Sequence, residues 1–239
     1  LLMPTRAFRR LAWTMVAGTY ALMVLGGMTK AYGAGLACPD WPLCYGKLIP
    51  QLDFLVFLEW FHRLVALAVG VLALVTTAAA LRLPGDRSPW VRGCLVALVI
   101  LPVQAVFGGL TVLTNLNAVV DATHLALGTA FFATWVALAV SASMSERARR
   151  LVTVRFVVVP LVAAVATYVT MILGSYMKAA GGGLACPDWP LCRGQLVPVE
   201  GGLVLAQFVH RVAALVAGLT VFYTAYFMFR RARRIPALA

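Results

Sequence analysis

Charged residues are scarce in this chain, and acidic residues are scarcest of all. Only 12% of the 239 residues are charged, and 8 are Asp or Glu against 20 Lys or Arg. Soluble domains carry roughly 25% charged and about 45 to 50% apolar residues, whereas 62% of this chain is hydrophobic. This balance excludes an ordinary soluble globular protein and indicates a membrane protein.

Residues that bind metals are also few, with three His and five Cys in the whole chain. Four of the cysteines form two pairs, each separated by five residues and without a histidine nearby. This spacing does not match the usual zinc sites, so zinc binding is not favoured.

Long apolar runs take the place of the missing charges. Six of them are long enough, at about 20 residues each, to cross a bilayer as helices. They cover residues 11–28, 64–81, 94–113, 118–142, 157–177 and 204–229, and the second is expected to begin earlier, near Phe54 or Phe57. We therefore predict an all-α membrane protein with six transmembrane helices and both termini on one side.

The basic residues are distributed unequally between the two sides of the predicted membrane. Fourteen of the 20 lie on one side: Arg6, Arg9, Arg10, Arg82, Arg87, Arg92, Arg147, Arg149, Arg150, Arg155, Arg230, Arg231, Arg233 and Arg234. By the positive-inside rule this side is cytoplasmic. Both termini are thus predicted in the cytoplasm and the cysteine loops outside the cell (inner) membrane. The net positive charge is therefore explained by the orientation of the protein in the membrane. For this reason no nucleic-acid partner is predicted.

The sequence contains an internal repeat with an offset of 148 residues. GLACPDWPLCYGKLIP at residues 35–50 returns as GLACPDWPLCRGQLVP at residues 183–198. The same register pairs further residues of the two copies: Gly26 with Gly174, Lys30 with Lys178, His62 with His210 and Arg63 with Arg211. We therefore predict parallel four-helix-bundle units, residues 1–150 and residues 151–239.

The second unit is shorter than the first. With the same offset, Ala239 corresponds to Val91, so counterparts of the third and fourth helices are missing. We expect a chain truncated after the sixth helix; a natural six-helix form is the alternative.

The paired cysteines lie in the predicted outer loops. Cys38 with Cys44, and Cys186 with Cys192, each bracket the sequence Pro-Asp-Trp-Pro-Leu. Disulfides persist on the oxidising side of a membrane, and the short span can bring the Cα atoms within reach of a disulfide. Each pair is predicted to form a disulfide, either as a structural link or as a redox-active thiol pair.

The three histidines, His62, His124 and His210, lie in membrane segments near the outer ends of helices. A single histidine in an apolar helix is commonly a hydrogen-bonded core residue. Ionisable residues in membrane helices are nevertheless functional candidates, and two helices with a histidine at one depth are typical of a bis-histidine haem site. We predict that His62 and His124 bind one haem iron, and that His210 lacks its partner in this chain.

Glu59 precedes His62 by three positions, so both project from one face of a helix. The repeat places Gln207 where the first copy has Glu59. A carboxylate beside a haem takes up protons or stabilises a developing cation, which an amide does not do by ionising. The first half is thus the predicted chemical site and the second an electron-transfer site. Alternatively, Glu59 forms an interfacial ion pair with Arg63.

Basic residues lie on the outer side near the histidines: Lys30, Arg63, Lys178 and Arg211. Arginine forks suit carboxylates, so these residues are candidates for binding haem propionates. The alternative is that their side chains simply extend to the membrane interface.

Together these elements resemble the haem A synthase family. GLACPDWPLCYGKLIP, EWFHR, VFGGLTVLTNLNAVVDATHLALG and QFVHR carry the resemblance, which runs from the first helix through the sixth. The resemblance implies an eight-helix membrane oxidoreductase with haem b as cofactor in one half and haem o as substrate in the other. Such an enzyme converts a methyl group of haem o to the formyl group of haem a by successive hydroxylations.

The resemblance also implies roles for individual residues. His62 and His124 would hold the substrate haem, His210 would be one axial ligand of haem b, and Glu59 would be the catalytic carboxylate. The cysteine pairs match the family's extracytoplasmic pairs. The predicted partners are haem o, membrane lipids, an electron acceptor of unknown identity, and a haem o synthase or a second copy of the chain.

Two other functions stay open. One is a bis-histidine membrane cytochrome b that carries electrons without modifying its haem, and the other is a thiol-oxidising membrane protein built on the cysteine loops. The difference between Glu59 and Gln207 favours the haem-modifying enzyme, because a pure electron carrier needs no ionisable group at only one haem.

Overall fold

The computed structural model describes residues 4–145 and 154–232. Within these residues the chain forms six α-helices and no β-strand: α1 (Arg6–Ala31), α2 (Phe54–Leu81), α3 (Ser88–Leu113), α4 (Ala118–Ser143), α5 (Val154–Ala179) and α6 (Gly202–Ala232). Each is long and apolar enough to cross a membrane. The predicted fold class is confirmed, and the chain is a multi-pass membrane protein.

Helix ends differ from the apolar runs that predicted them. α1 begins at Arg6, because the Thr5 side chain accepts a hydrogen bond from the Phe8 N–H. α3 begins at Ser88, with Pro89 in its first turn. Both starts are earlier than predicted, because caps and proline define helix ends while charged residues can continue a helix beyond the hydrocarbon region.

The early start of the second helix is confirmed. α2 begins at Phe54, directly after Asp53, whose side chain accepts a hydrogen bond from the Val56 N–H at 2.9 Å. This cap adds almost three turns before the apolar run, and those turns carry Glu59 and His62.

Contacts divide the described chain into two compact units. The first contains residues 4–120 and 127–144, and the second contains residues 121–126, 145 and 154–232. The predicted boundary between residues 150 and 151 lies outside the described residues and stays a prediction. The same is true of several arginines on which the predicted orientation depends: Arg147, Arg149, Arg150, Arg233 and Arg234.

The apolar core of the first unit lies at the ends of its helices away from the cysteine loop. Phe8 and Met15 from the start of α1 meet Trp135 from the end of α4 and Trp90 from the start of α3. The rings of Phe8 and Trp90 have their centroids 6.0 Å apart. Cys94 is a free thiol buried in this core, as expected of a small apolar residue. The first cysteine loop lies at the opposite end of the unit, against the start of α2.

In the second unit, α5 packs along α6 and also holds a short stretch of α4. The Thr224 hydroxyl of α6, which donates to the Thr220 carbonyl of its own helix at 2.8 Å, lies 3.4 Å from the Val159 carbonyl of α5. The Tyr168 hydroxyl of α5 donates to the Ala126 carbonyl of α4 at 3.0 Å. Residues 121–126 therefore group with this unit.

A glycine in α3 lies against the tryptophan of the first cysteine loop. Gly109 is buried, and a Cβ added to it would lie 2.6 Å from Cδ2 of Trp41. Two more atoms of the same ring lie within 3.0 Å of that position. The absence of a side chain at Gly109 thus allows the first loop to rest on α3.

We expect Gly109→Ala to displace the Trp41 ring and to destabilise the first unit by about 1–3 kcal/mol, because a rigid ring cannot yield as a flexible side chain does. Thermal unfolding of the purified protein in detergent measures this change. Gly27→Ala is the control, since a Cβ there meets nothing within 4 Å. Equal unfolding temperatures for the two variants would contradict the contact.

Candidate functional site

A disulfide closes each of the predicted outer loops. Cys38 is bonded to Cys44 with Cα atoms 4.8 Å apart, and Cys186 is bonded to Cys192 with Cα atoms 4.6 Å apart. The four cysteines are at most 2% exposed, and each disulfide packs against the beginning of the helix that follows it. Burial denies a thiol partner access to the sulfurs, so the structure favours structural links over redox-active pairs.

Within each loop an aspartate organises a tight turn. Asp40 accepts hydrogen bonds from the N–H groups of Gly46 at 2.8 Å and Tyr45 at 2.6 Å. These bonds, with that from Gly46 the strongest influence, hold the pKa of Asp40 below its ordinary value. The pKa of Asp188 is lowered in the same way in the second loop, chiefly by the Gly194 N–H. Both turns are therefore most stable with the carboxylate ionised, and they weaken as the pH falls through the lowered pKa.

Arg63, the residue after His62, fastens the first loop to α2. Its Nη1 donates hydrogen bonds to the carbonyls of Asp40 at 2.8 Å and Leu43 at 2.5 Å. Its Nη2 donates to the Cys38 carbonyl at 3.4 Å. The loop is thus anchored to the turn of α2 that carries the histidine.

Arg211 anchors the second loop to α6 in the same way. Its Nη1 donates to the carbonyls of Asp188 at 2.7 Å and Leu191 at 2.8 Å, and its Nη2 donates to the Cys186 carbonyl at 2.6 Å. Both arginines thus bind loop carbonyls, a role that the spacing did not predict. Binding of propionates by Arg63 and Arg211 stays a prediction.

Glu59 is only 4% exposed, and both of its oxygens accept hydrogen bonds. Oε2 accepts from the Cys38 N–H at 2.8 Å, and Oε1 accepts from Arg63 at 2.5 Å. The ion pair with Arg63 is therefore present. An ionised carboxylate still has lone pairs after two such bonds, so the ion pair is compatible with a catalytic role, which stays a prediction.

Gln207 occupies the equivalent position in the second unit. Its Oε1 accepts a hydrogen bond from the Cys186 N–H, and its Nε2 donates to the Gly183 carbonyl at 2.7 Å. In each loop, the N–H of the first cysteine thus donates a hydrogen bond to the residue three positions before the histidine. The anchor needs only an acceptor atom, which both an amide and a carboxylate provide; the carboxylate adds an ionisable group.

The histidines are all half-buried. His62 belongs to the first unit, His210 to the second, and His124 to the stretch of α4 that groups with the second. The buried Nδ1 of His210 has no hydrogen-bond partner within the described residues, so no described residue engages that atom as a core hydrogen bond would. Such an imidazole fits an axial ligand of haem iron. The pairing of His62 with His124 on one haem stays a prediction.

A glycine lies against the imidazole in each unit. A Cβ added to Gly26 would lie 2.9 Å from Cε1 of His62, and one added to Gly174 would lie 2.7 Å from Cε1 of His210. The repeat pairs the two glycines, but spacing alone does not connect them with the histidines.

Asp121, three residues before His124, was not among the predicted site residues. Its Oδ2 accepts a hydrogen bond from the Ser175 hydroxyl of α5 at 3.3 Å. A signal for it exists in the sequence, because every histidine follows a residue with a side-chain oxygen by three positions: Glu59, Asp121 and Gln207.

The two lysines lie in the last turns of their helices, Lys30 half-buried in α1 and Lys178 exposed in α5. A positive charge is favourable at a helix C-terminus. Binding of propionates by either lysine stays a prediction.

We expect Glu59→Gln to be less destabilising than Glu59→Ala, because the amide oxygen can still accept the Cys38 N–H, as Gln207 accepts the Cys186 N–H, and only the bond from Arg63 is lost. Glu59→Ala leaves the Cys38 N–H buried without an acceptor and is expected to cost about 1–3 kcal/mol. Denaturant unfolding in detergent compares the two variants. Equal destabilisation would show that the negative charge, rather than the acceptor atom, holds the loop.

Known proteins are similar in sequence to most of this chain. Residues 9–239 match the COX15-CtaA family, described as cytochrome oxidase assembly protein. A Heme A synthase of Symbiobacterium thermophilum is 28% identical over 225 residues, which cover 90% of this chain and 74% of the relative. A Heme A synthase of Geobacillus kaustophilus is 27% identical over 246 residues, which cover 96% of this chain and 75% of the relative.

A relative with a different name matches part of the chain. A protoheme IX farnesyltransferase of Haloarcula marismortui is 33% identical over 132 residues, which cover 55% of this chain and 28% of that protein.

The family resemblance drawn from the sequence motifs is confirmed. Since the family match covers nearly all residues, this chain belongs to the COX15-CtaA family of cytochrome oxidase assembly proteins.

Proposed function

We propose that this protein is a haem A synthase, a membrane oxidoreductase that oxidises a methyl group of haem o to the formyl group of haem a. Family membership and the two relatives named Heme A synthase support this function. The structural observation that carries it is the contrast between Glu59 and Gln207. Both accept the N–H of the first cysteine in their loop, and only Glu59 can ionise.

The two halves have different tasks in this proposal. His62 and His124 would hold the substrate haem o, and His210 would hold haem b. Haem b, when bound, supplies an acceptor for electrons. The buried Nδ1 of His210 has no partner within the described residues, which supports an imidazole that is not held as a core residue by that atom.

Oxidation of the methyl group creates a demand for a base. Conversion of a methyl to a formyl group adds one oxygen atom and, when that oxygen comes from water, releases four electrons and four protons. Glu59 suits the removal of protons because it lies three positions before His62, on the same helical face. A buried carboxylate can also stabilise positive charge that develops on the substrate.

The neighbours of Glu59 allow it to change its protonation without loss of the loop. Arg63 and the Cys38 N–H compensate the buried negative charge, which would otherwise be costly. When the carboxylate takes up a proton, Arg63 keeps its hydrogen bonds to the carbonyls of Asp40 and Leu43. The loop thus stays anchored through the proton transfer.

The proposal includes an orientation and partners. The disulfide loops lie outside the cell membrane and the arginine-rich helix ends lie in the cytoplasm, by the positive-inside rule. A haem o synthase supplies the substrate, a partner that the similarity to part of a protoheme IX farnesyltransferase supports. An electron acceptor and a second copy of the chain complete the proposed partners.

The test is a pigment analysis of membranes from cells that make haem o and have no other haem A synthase. We expect the native protein to yield haem a, and Glu59→Gln to retain haem but lower haem a formation at least about 100-fold, the size of a typical acid–base contribution. Chromatography separates haem b, o and a.

Glu200→Gln is the matched control, because it makes the same acid-to-amide exchange at a partly exposed residue next to the second loop. It is expected to form haem a at the native rate. Haem a at the native rate from Glu59→Gln would remove Glu59 from the mechanism. A native protein that binds haem and never forms haem a would contradict the function.

A further inference from the structure

We propose that Gly26 and Gly174 are positioning residues that fix the ring orientation of His62 and His210, and with it the electronic state of the haem iron those rings bind. The inference rests on the proposed function, because it takes both histidines as haem ligands. It assigns a role to two glycines that neither touch the iron nor cap a turn.

The contact is closest at the edge of each imidazole. A Cβ on Gly26 would lie 2.9 Å from Cε1 of His62, with Nδ1 at 3.5 Å and Nε2 at 3.6 Å. A Cβ on Gly174 would lie 2.7 Å from Cε1 of His210, with Nε2 at 3.3 Å and Nδ1 at 3.4 Å. Each ring therefore turns its Cε1 edge toward the glycine, and a methyl group there would force the ring or the helix to move.

The arrangement occurs twice, in two units that are each compact on their own. In the first unit α1 meets α2 at this point, and in the second α5 meets α6. The repeats differ at the very next residue, where Gly27 stands opposite Ser175. Both copies thus have glycine at the position that contacts the imidazole ring, whereas the next position differs.

A histidine that binds haem iron needs a neighbouring group that fixes the orientation of its imidazole ring. Ligating histidines usually donate their second N–H to a carboxylate or a carbonyl, and this bond fixes the ring. The buried Nδ1 of His210 has no such partner within the described residues. Close packing against Gly174 takes the place of that bond in orienting the ring, and ring orientation is one of the features through which outer-shell groups tune a bound metal.

A glycine that served only helix packing would act differently. Its replacement would lower the unfolding temperature and leave the spectrum of the haem that stays bound unchanged. A positioning glycine changes the spectrum of the bound haem itself, so spectroscopy separates the two roles.

The experiment uses the native protein purified with its haem in detergent. We expect Gly174→Ala to shift the highest g value of the low-spin ferric signal and the midpoint potential of one haem. Gly218→Ala is the control on the helix of His210, because a Cβ there meets nothing within 4 Å. It should leave both quantities at their native values. Gly174→Ala with haem bound and both quantities unchanged would overturn the inference.

Gly26→Ala keeps the inference testable if Gly174→Ala does not fold, since the clash at Gly26 is milder. Gly27→Ala, the adjacent position, is its control. Loss of haem from Gly26→Ala at a native unfolding temperature would also support positioning. Unfolding of both variants, with native spectra in any haem that remains, would show a packing role and overturn the inference.

The readout does not depend on turnover of haem o. Shifted spectra in a protein that never forms haem a would uphold the glycine inference and contradict the proposed function. Native spectra in glycine variants of a protein that does form haem a would overturn the glycine inference and uphold the proposed function.

Discussion

A guanidinium group that binds backbone carbonyls holds each cysteine loop of this protein to a membrane helix. Arg63 and Arg211 each donate to three loop carbonyls, and each directly follows a histidine. A charged donor makes a stronger hydrogen bond to a carbonyl than a neutral donor does, so these contacts are among the strong ones of the loop. Because histidine and arginine share one helical turn, the position of the loop and the position of the imidazole are linked.

The residue that accepts the N–H of the first loop cysteine differs between the two halves. This difference explains how two similar halves can differ in chemistry. Glu59 and Gln207 both accept the N–H of the first loop cysteine, so either residue type satisfies the fold. The negative charge of Glu59 is then available for another purpose, with Arg63 beside it as a counter-ion. One residue thus combines a structural bond with a proposed proton acceptor, and the neutral copy shows which part of its role the fold requires.

The sequence allowed the six helices and the two disulfides to be predicted, because apolar length and cysteine spacing are local signals. Helix ends were less predictable, since the cap at Thr5 and Pro89 at the start of α3 lie outside the apolar runs. An arginine is long enough to reach either a propionate or the loop, so the contacts of Arg63 depend on how the loop folds. The packing of Gly26 against His62 depends on a ring orientation that no spacing reveals.

Amide hydrogen exchange of the first cysteine loop tests the loop anchor most directly. In the native protein the Cys38 N–H, which donates to the buried Glu59, is expected to exchange slowly. Arg63→Ala should raise the exchange rate of residues 34–50 about tenfold or more, equivalent to about 1.4 kcal/mol of lost anchoring. Arg82→Ala, at the opposite end of α2, should leave it unchanged. A loop that exchanges equally fast in the native protein and in Arg63→Ala would contradict the account.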